Sequence, residues 1–98
     1  MEKKIHVLTM TTDDGYTSRL CACSQFPIEG KAKDTLRETF NSASRYTSEI
    51  ITDSRLLETY SKDELHQEFV DAVDDLSNGK PVDYYGDIYE WHEIEVID

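Results

Sequence analysis

Three features of this sequence predict a small α+β domain. Two β-prone runs surround a turn near the start, one stretch after residue 61 repeats its apolar residues at helical spacing, and the segment from Ile88 to Ile97 alternates residue by residue. Together they predict an N-terminal β-hairpin, two or three helices, and a C-terminal strand that completes a roughly three-stranded antiparallel sheet with the helices on one face. At 98 residues the chain can bury one modest core, so residues 1–98 are read as a single domain.

The elements follow in order. Lys4 to Met10 is rich in β-branched and apolar residues, Asp13-Asp14-Gly15 supplies turn chemistry, and Tyr16 to Cys23 reads as the returning strand. Pro27 and Gly30 mark Ser24 to Lys33 as a loop. Thr35 and Glu38 have the spacing of a capping box, and Leu36, Phe40 and Ala43 follow at helical intervals, which predicts a helix from there to about Tyr46. Within Ser48 to Tyr60, SEIIT reads as a brief extended piece and SRLLETY as a short helix. Ser61 with Glu64 forms a second capping box, and the helix it opens is closed by Asn78-Gly79 with Pro81 beyond. In that helix Leu65, Phe69, Ala72, Val73 and Leu76 share one side with Val70 at its margin, and Asp63, Glu64, Glu68, Asp71, Asp74 and Asp75 gather on the other. Leu36, Phe40, Leu65, Phe69, Val73 and Leu76 are the expected core.

The last segment is less tidy. Ile88, Glu90, His92, Ile94 and Val96 fall on one face and Tyr89, Trp91, Glu93, Glu95 and Ile97 on the other, and neither is wholly apolar. Tyr89 and Trp91 are the more buriable near the start, Ile94 and Val96 near the end, so a bulge or twist that exchanges the faces is expected. The strand is expected to pair with the first one.

Charge is the dominant compositional fact. The net charge is −11, and up to Lys62 acids and bases balance, nine of each. From Asp63 onward twelve acids face Lys80 alone, so the last third carries the whole imbalance. Glu64 with Glu68 and Asp71 with Asp75 are like-charge pairs at i,i+4, and Asp74 and Asp75 sit at the helix end where the macrodipole favours cations. Six carboxylates over that helix give about one charge per 3 Å of axis, close to the ~3.4 Å spacing on one DNA strand. An acidic face of this kind repels nucleic acid and suits a basic protein surface. Acidic residues on the final strand have a plainer role as well, since charge on an edge strand discourages pairing with other chains.

Other chemistry finds little footing. No Gly-rich phosphate loop, nucleophile elbow or H-E-x-x-H occurs, and DDLSNG departs from a calcium loop at Leu76 and at Gly86, where a bidentate Glu belongs. Cys21 and Cys23 lie at i,i+2, a spacing at which a disulfide would be strained, so free thiols in a reducing cytoplasm are expected; a zinc site with His6 and His92 is set aside as weakly spaced. His66 reads as a satisfied, partly buried histidine on the helix flank. His6 and Thr9 interrupt the only leader-like start, and no run reaches the ~18 apolar residues of a membrane span.

The expected function is therefore a non-enzymatic, cytoplasmic, acidic interaction module. Its partner-binding residues are Glu64, Glu68, Asp71, Asp74 and Asp75 on the helix, with Tyr84, Tyr85, Asp87, Glu90, Glu93 and Glu95 beyond it; no catalytic, metal or cofactor residue is assigned. In composition and architecture the chain resembles small acidic proteins of phages and mobile elements, some of which inhibit host nucleic-acid-binding enzymes by presenting a DNA-like surface. The resemblance implies a basic, nucleic-acid-binding host protein as partner and assigns no individual residue. Two alternatives stand beside it: a small enzyme or ligand-binding domain with an aromatic pocket near Tyr84, Tyr85, Tyr89 and Trp91, and a structural subunit whose acidic face only keeps it in solution.

Overall fold

Four strands, β1 (Glu2–Thr11), β2 (Thr17–Cys23), β3 (Val82–Tyr84) and β4 (Asp87–Ile97), pair antiparallel in the order β2-β1-β4-β3 in the computed structural model, which describes residues 2–97. The α+β class is as predicted, with one strand more than expected. β3 has only three residues and follows Pro81 directly, too short for an alternation to show in sequence. It is joined to β4 by a two-residue turn, Tyr85-Gly86, in which both residues have positive φ (51° and 88°), the geometry of a type I′ hairpin. β1 and β4 pair without interruption from Glu2↔Ile97 to Thr11↔Ile88, so the C-terminal strand does pair with the first.

The expected exchange of faces along β4 does not occur. Continuous register with β1 keeps Tyr89 and Trp91 toward the helices and leaves Ile88 and Ile94 on the open face, 42% and 45% exposed. The irregularity lies instead between β1 and β2, at Leu8/Thr9, where Leu20 on β2 has no pairing partner.

Three helices cover one face: α1 (Gly30–Ser44), α2 (Ser54–Thr59) and α3 (Lys62–Ser77). α1 begins five residues before Thr35. Thr35 is interior and its hydroxyl donates to the Lys31 carbonyl, so the Thr35/Glu38 spacing is not a cap. Arg45 ends α1 in the left-handed region (φ 58°), and Asn41 Oδ1 accepts from both the amide and the hydroxyl of Thr47, which holds a single π turn at Tyr46–Ile50. SEIIT is thus π turn as far as Ile50 and then a tight turn at Ile51 and Thr52, not extended, while SRLLETY contains α2 as expected.

The core lies between α1, α3 and the sheet. Leu36 and Phe40 of α1, Phe69, Val73 and Leu76 of α3, and Leu8, Tyr84 and Tyr89 of the sheet form one buried cluster, with Leu65 buried as well. Phe40 is its hub: its ring stacks on Phe69 and meets Tyr84 and Tyr89 edge-on, all with centroids between 4.8 and 5.4 Å. Among the described residues no helix is long and apolar enough to cross a membrane.

Candidate functional site

The outer side of α3 is the most distinctive surface. Its N-terminus is fixed by the predicted capping box: Ser61 Oγ accepts from the Glu64 amide and Glu64 Oε1 accepts from the Ser61 amide. Its C-terminus closes as a Schellman motif, with the Gly79 amide donating to the Leu76 carbonyl and the Lys80 amide to the Asp75 carbonyl. The Trp91 indole N–H also donates to the Leu76 carbonyl at 2.8 Å, tying the helix end to β4. With both ends held and the apolar stripe on the sheet, the carboxylates must face outward.

They do not all do the same thing. Glu64, Glu68, Asp71 and Asp75 are exposed, whereas Asp74 is drawn sideways onto Lys33 of α1 at 2.6 Å. That ion pair places the missing cation beside the helix end and explains how two aspartates are tolerated there. Asp71 accepts from Gln67, and Glu68 accepts from the Tyr85 hydroxyl at 2.9 Å. Asp75 has no side-chain partner among the described residues. The expected row of six carboxylates is therefore a row of five, counting the exposed Asp63.

Of the C-terminal candidates, only Tyr85 joins this face. It is 45% exposed at the tip of the β3–β4 turn, and its bond to Glu68 and partial burial push its phenol up to about 12, burial being the larger cause. Tyr84 is not an exposed ring. It is 5% exposed, edge-on to Phe40 and Tyr85, because β-strand alternation turns it under the sheet while its neighbour turns out. Glu90 is exposed on the opposite face of the sheet, opposite Thr9 and 3.9 Å from His92. Glu93 and Glu95 are exposed at the far end of β4, where Glu93 pairs with Lys4 at 3.0 Å. The acidic residues form several patches rather than the single continuous face that was expected.

Asp87 belongs to another patch. It lines a cavity of about 370 Å³ with Met10, Asp13, Asp14, Arg45, Glu49, Tyr84 and Tyr85. Burial raises the pKa of Asp87, Asp13 and Asp83 raise it further, and Arg45 opposes them. Arg45 and Tyr85, the two non-glycine residues with positive φ among those described, both line this cavity. Sequence reasoning passed over Asp13, Asp14 and Arg45. The signal was topological: in an antiparallel sheet where β1 and β4 are neighbours, the DDG and YG turns fall at the same end.

Of the four aromatic residues of the alternative reading, Tyr84 and Tyr85 line that cavity together, and Tyr89 and Trp91 do not. Tyr89 is fully buried, and Trp91 lines a separate space of about 230 Å³ with Cys21, Cys23, Pro27 and Leu36. Both thiols are free, with burial raising their pKa, which favours the inert protonated form. His6 and the two cysteines point toward the helices and His92 away from them, so the set-aside zinc ligands are split across the sheet. His66 is exposed rather than partly buried, with Nδ1 3.0 Å from the Tyr46 hydroxyl.

What the fold and this surface define is an acidic α+β domain with a carboxylate-lined helix held rigidly at both ends. Comparison with protein-family models, curated proteins and solved structures gives no match to this chain.

Proposed function

We propose that this protein is a non-enzymatic interaction module, cytoplasmic in location, whose α3 face docks on a positively charged protein surface. The observation that supports this most is the run Asp63, Glu64, Glu68, Asp71 and Asp75, exposed on one rigid helix with the ring of Tyr85 anchored beside it. Charge steers the encounter and the aromatic ring supplies area that a partner can desolvate. The spacing of the carboxylates suits a groove built for nucleic-acid phosphates, so inhibition of a nucleic-acid-binding protein, as in the phage and mobile-element proteins it resembles, is the specific form of the proposal.

The test is capture from a nuclease-treated lysate on immobilised protein, eluted by a salt series and, separately, by duplex DNA. The expected result is a basic protein retained at low salt, released by DNA, and not retained by the variant Glu68→Lys/Asp71→Lys/Asp75→Lys. Retention by that variant equal to the parent would defeat the reading and leave the acidic face as a solubilising surface.

The cavity at Arg45 and Asp87 supports a second reading, a binding site for a small cationic ligand beside Tyr84 and Tyr85. Titration with simple polyamines monitored by the amide resonances of Asp13, Asp14 and Asp87 decides it, and no shift at these positions removes it.

A further inference from the structure

β4 changes character along its length. At Ile88 and Tyr89 it lies between β1 and β3, but β3 begins only at Val82, the partner of Tyr89, and among the described residues no strand pairs with the outer side of β4 from Glu90 to Ile97. β2 likewise reaches only as far as His6 on the other side. The sheet therefore narrows to the two-stranded ribbon Glu2–Ile5 against Ile94–Ile97, and a ribbon of two strands is marginal without a third.

The outer edge has a defined pattern. In the two-residue hairpin Tyr84 and Asp87 form the hydrogen-bonded pair, so strand alternation directs the N–H and C=O groups of Trp91, Glu93 and Glu95 away from β1 and toward the open side. The same residues share a face, so a strand added there meets Glu93 and Glu95 as cross-strand neighbours. A second copy of this chain is a poor occupant, because antiparallel β4-to-β4 addition sets carboxylates against carboxylates. No cation lies on β4 itself, and Lys4, the partner of Glu93, sits on the inner neighbour β1.

We propose that the open edge of β4 from Glu90 to Ile97 accepts, by β-strand addition, an extended segment of a basic protein with Lys or Arg at alternate positions. Main-chain bonds to Trp91, Glu93 and Glu95 supply the affinity, and the two glutamates select the cationic side chains. This rests on the reading that the chain's carboxylates meet a basic protein, and adds a second contact away from α3.

The probe is a short capped peptide of alternating Thr and Lys, compared with its Thr/Glu counterpart and with a Thr/Lys peptide N-methylated along one edge. Expected are saturable binding of the first and slowing of amide exchange at Trp91, Glu93 and Glu95 by about tenfold or more. The Thr/Glu peptide should not bind, and the N-methylated peptide should lose the exchange protection. Equal binding of the N-methylated peptide, absence of binding, or binding with no protection of those three amides overturns strand addition. The α3 reading is judged separately, by capture on the triple lysine variant, whose β4 edge is unaltered.

Discussion

Tyr84, Tyr85 and Tyr89 show how one residue type serves two ends. Tyr84 and Tyr89 are core rings whose hydroxyls are buried with no hydrogen-bond partner among the described residues, and burial raises both phenols above their ordinary value. Tyr85 is raised to about 12 with its hydroxyl on Glu68. For a phenol raised by folding, the protonated form is favoured in the native state. Its contribution is complete below the unfolded value of 10.0 and is lost as pH rises through that value and beyond 12. The protein is therefore expected to lose stability steeply above about pH 10. Burial raises the Tyr46 phenol as well, so spectrophotometric tyrosine titration should show four of the six tyrosines ionising late, together with unfolding monitored by circular dichroism; six independent titrations near the ordinary value would contradict it.

Tyr85 also carries a backbone cost. An aromatic residue at φ 51° in a type I′ turn occupies a place that Asn fills with less strain. Tyr85→Asn gains turn preference and loses the Glu68 bond and the edge contact with Tyr84, so stability should stay within about 1 kcal/mol of the parent by urea unfolding. Capture of the basic partner should fall. A strained residue kept for binding gives that combination; a large loss of stability with unchanged capture would assign Tyr85 to the fold alone.

At the scale of elements, α3 was legible in full because three independent signals agreed: apolar spacing, the Ser61/Glu64 box and the Asn78-Gly79 stop. The expected core residues of both long helices were legible for the same reason and are all buried. β3, the start of α1 and the π turn were not, since a three-residue strand has no period and Glu29 offers no side-chain cap bond. On β4 the apolar character of Ile94 and Val96 does not set their face; continuous register with β1 does, and it puts them on the side away from the helices. Within the candidate site, the helical carboxylates could be read from sequence, but Tyr84 could not be told from Tyr85 without the turn that separates them. Gly79 tests the helix end directly. Its φ is 82°, and a Cβ there would lie 2.7 Å from the Phe26 ring, itself stacked on His6 and edge-on to Trp91. Gly79→Ala should cost more than about 1 kcal/mol in urea unfolding, and a neutral result would mean that the Schellman closure does not hold α3.

Across the whole molecule, the net charge of −11 does not act as a unit. The extents are 54 × 32 × 18 Å, while screening at physiological salt acts over about 8 Å, so each acidic patch is felt mainly by its neighbours. Repulsion is then local, strongest along α3, where Glu64 to Glu68 and Asp71 to Asp75 repeat at i,i+4. Two salt dependences of opposite sign follow. Added salt should raise the urea midpoint by screening repulsion within α3, and the same salt should weaken capture of a basic partner by screening attraction. The variant Glu68→Lys/Asp71→Lys/Asp75→Lys separates the two effects, because it turns the Glu64/Glu68 pair into an opposite one and puts a cation at the C-terminal end of the helix, where the macrodipole favours it, while positions 71 and 75 exchange one like pair for another. Its fold should be as stable as the parent or more so by a few tenths of a kcal/mol, with a flatter salt dependence, and its capture should be lost at every salt concentration. A solubilising face predicts the same stability gain with capture unchanged. Binding measured for both proteins across a salt series therefore decides whether the repulsion stored along α3 is kept for a partner or merely tolerated.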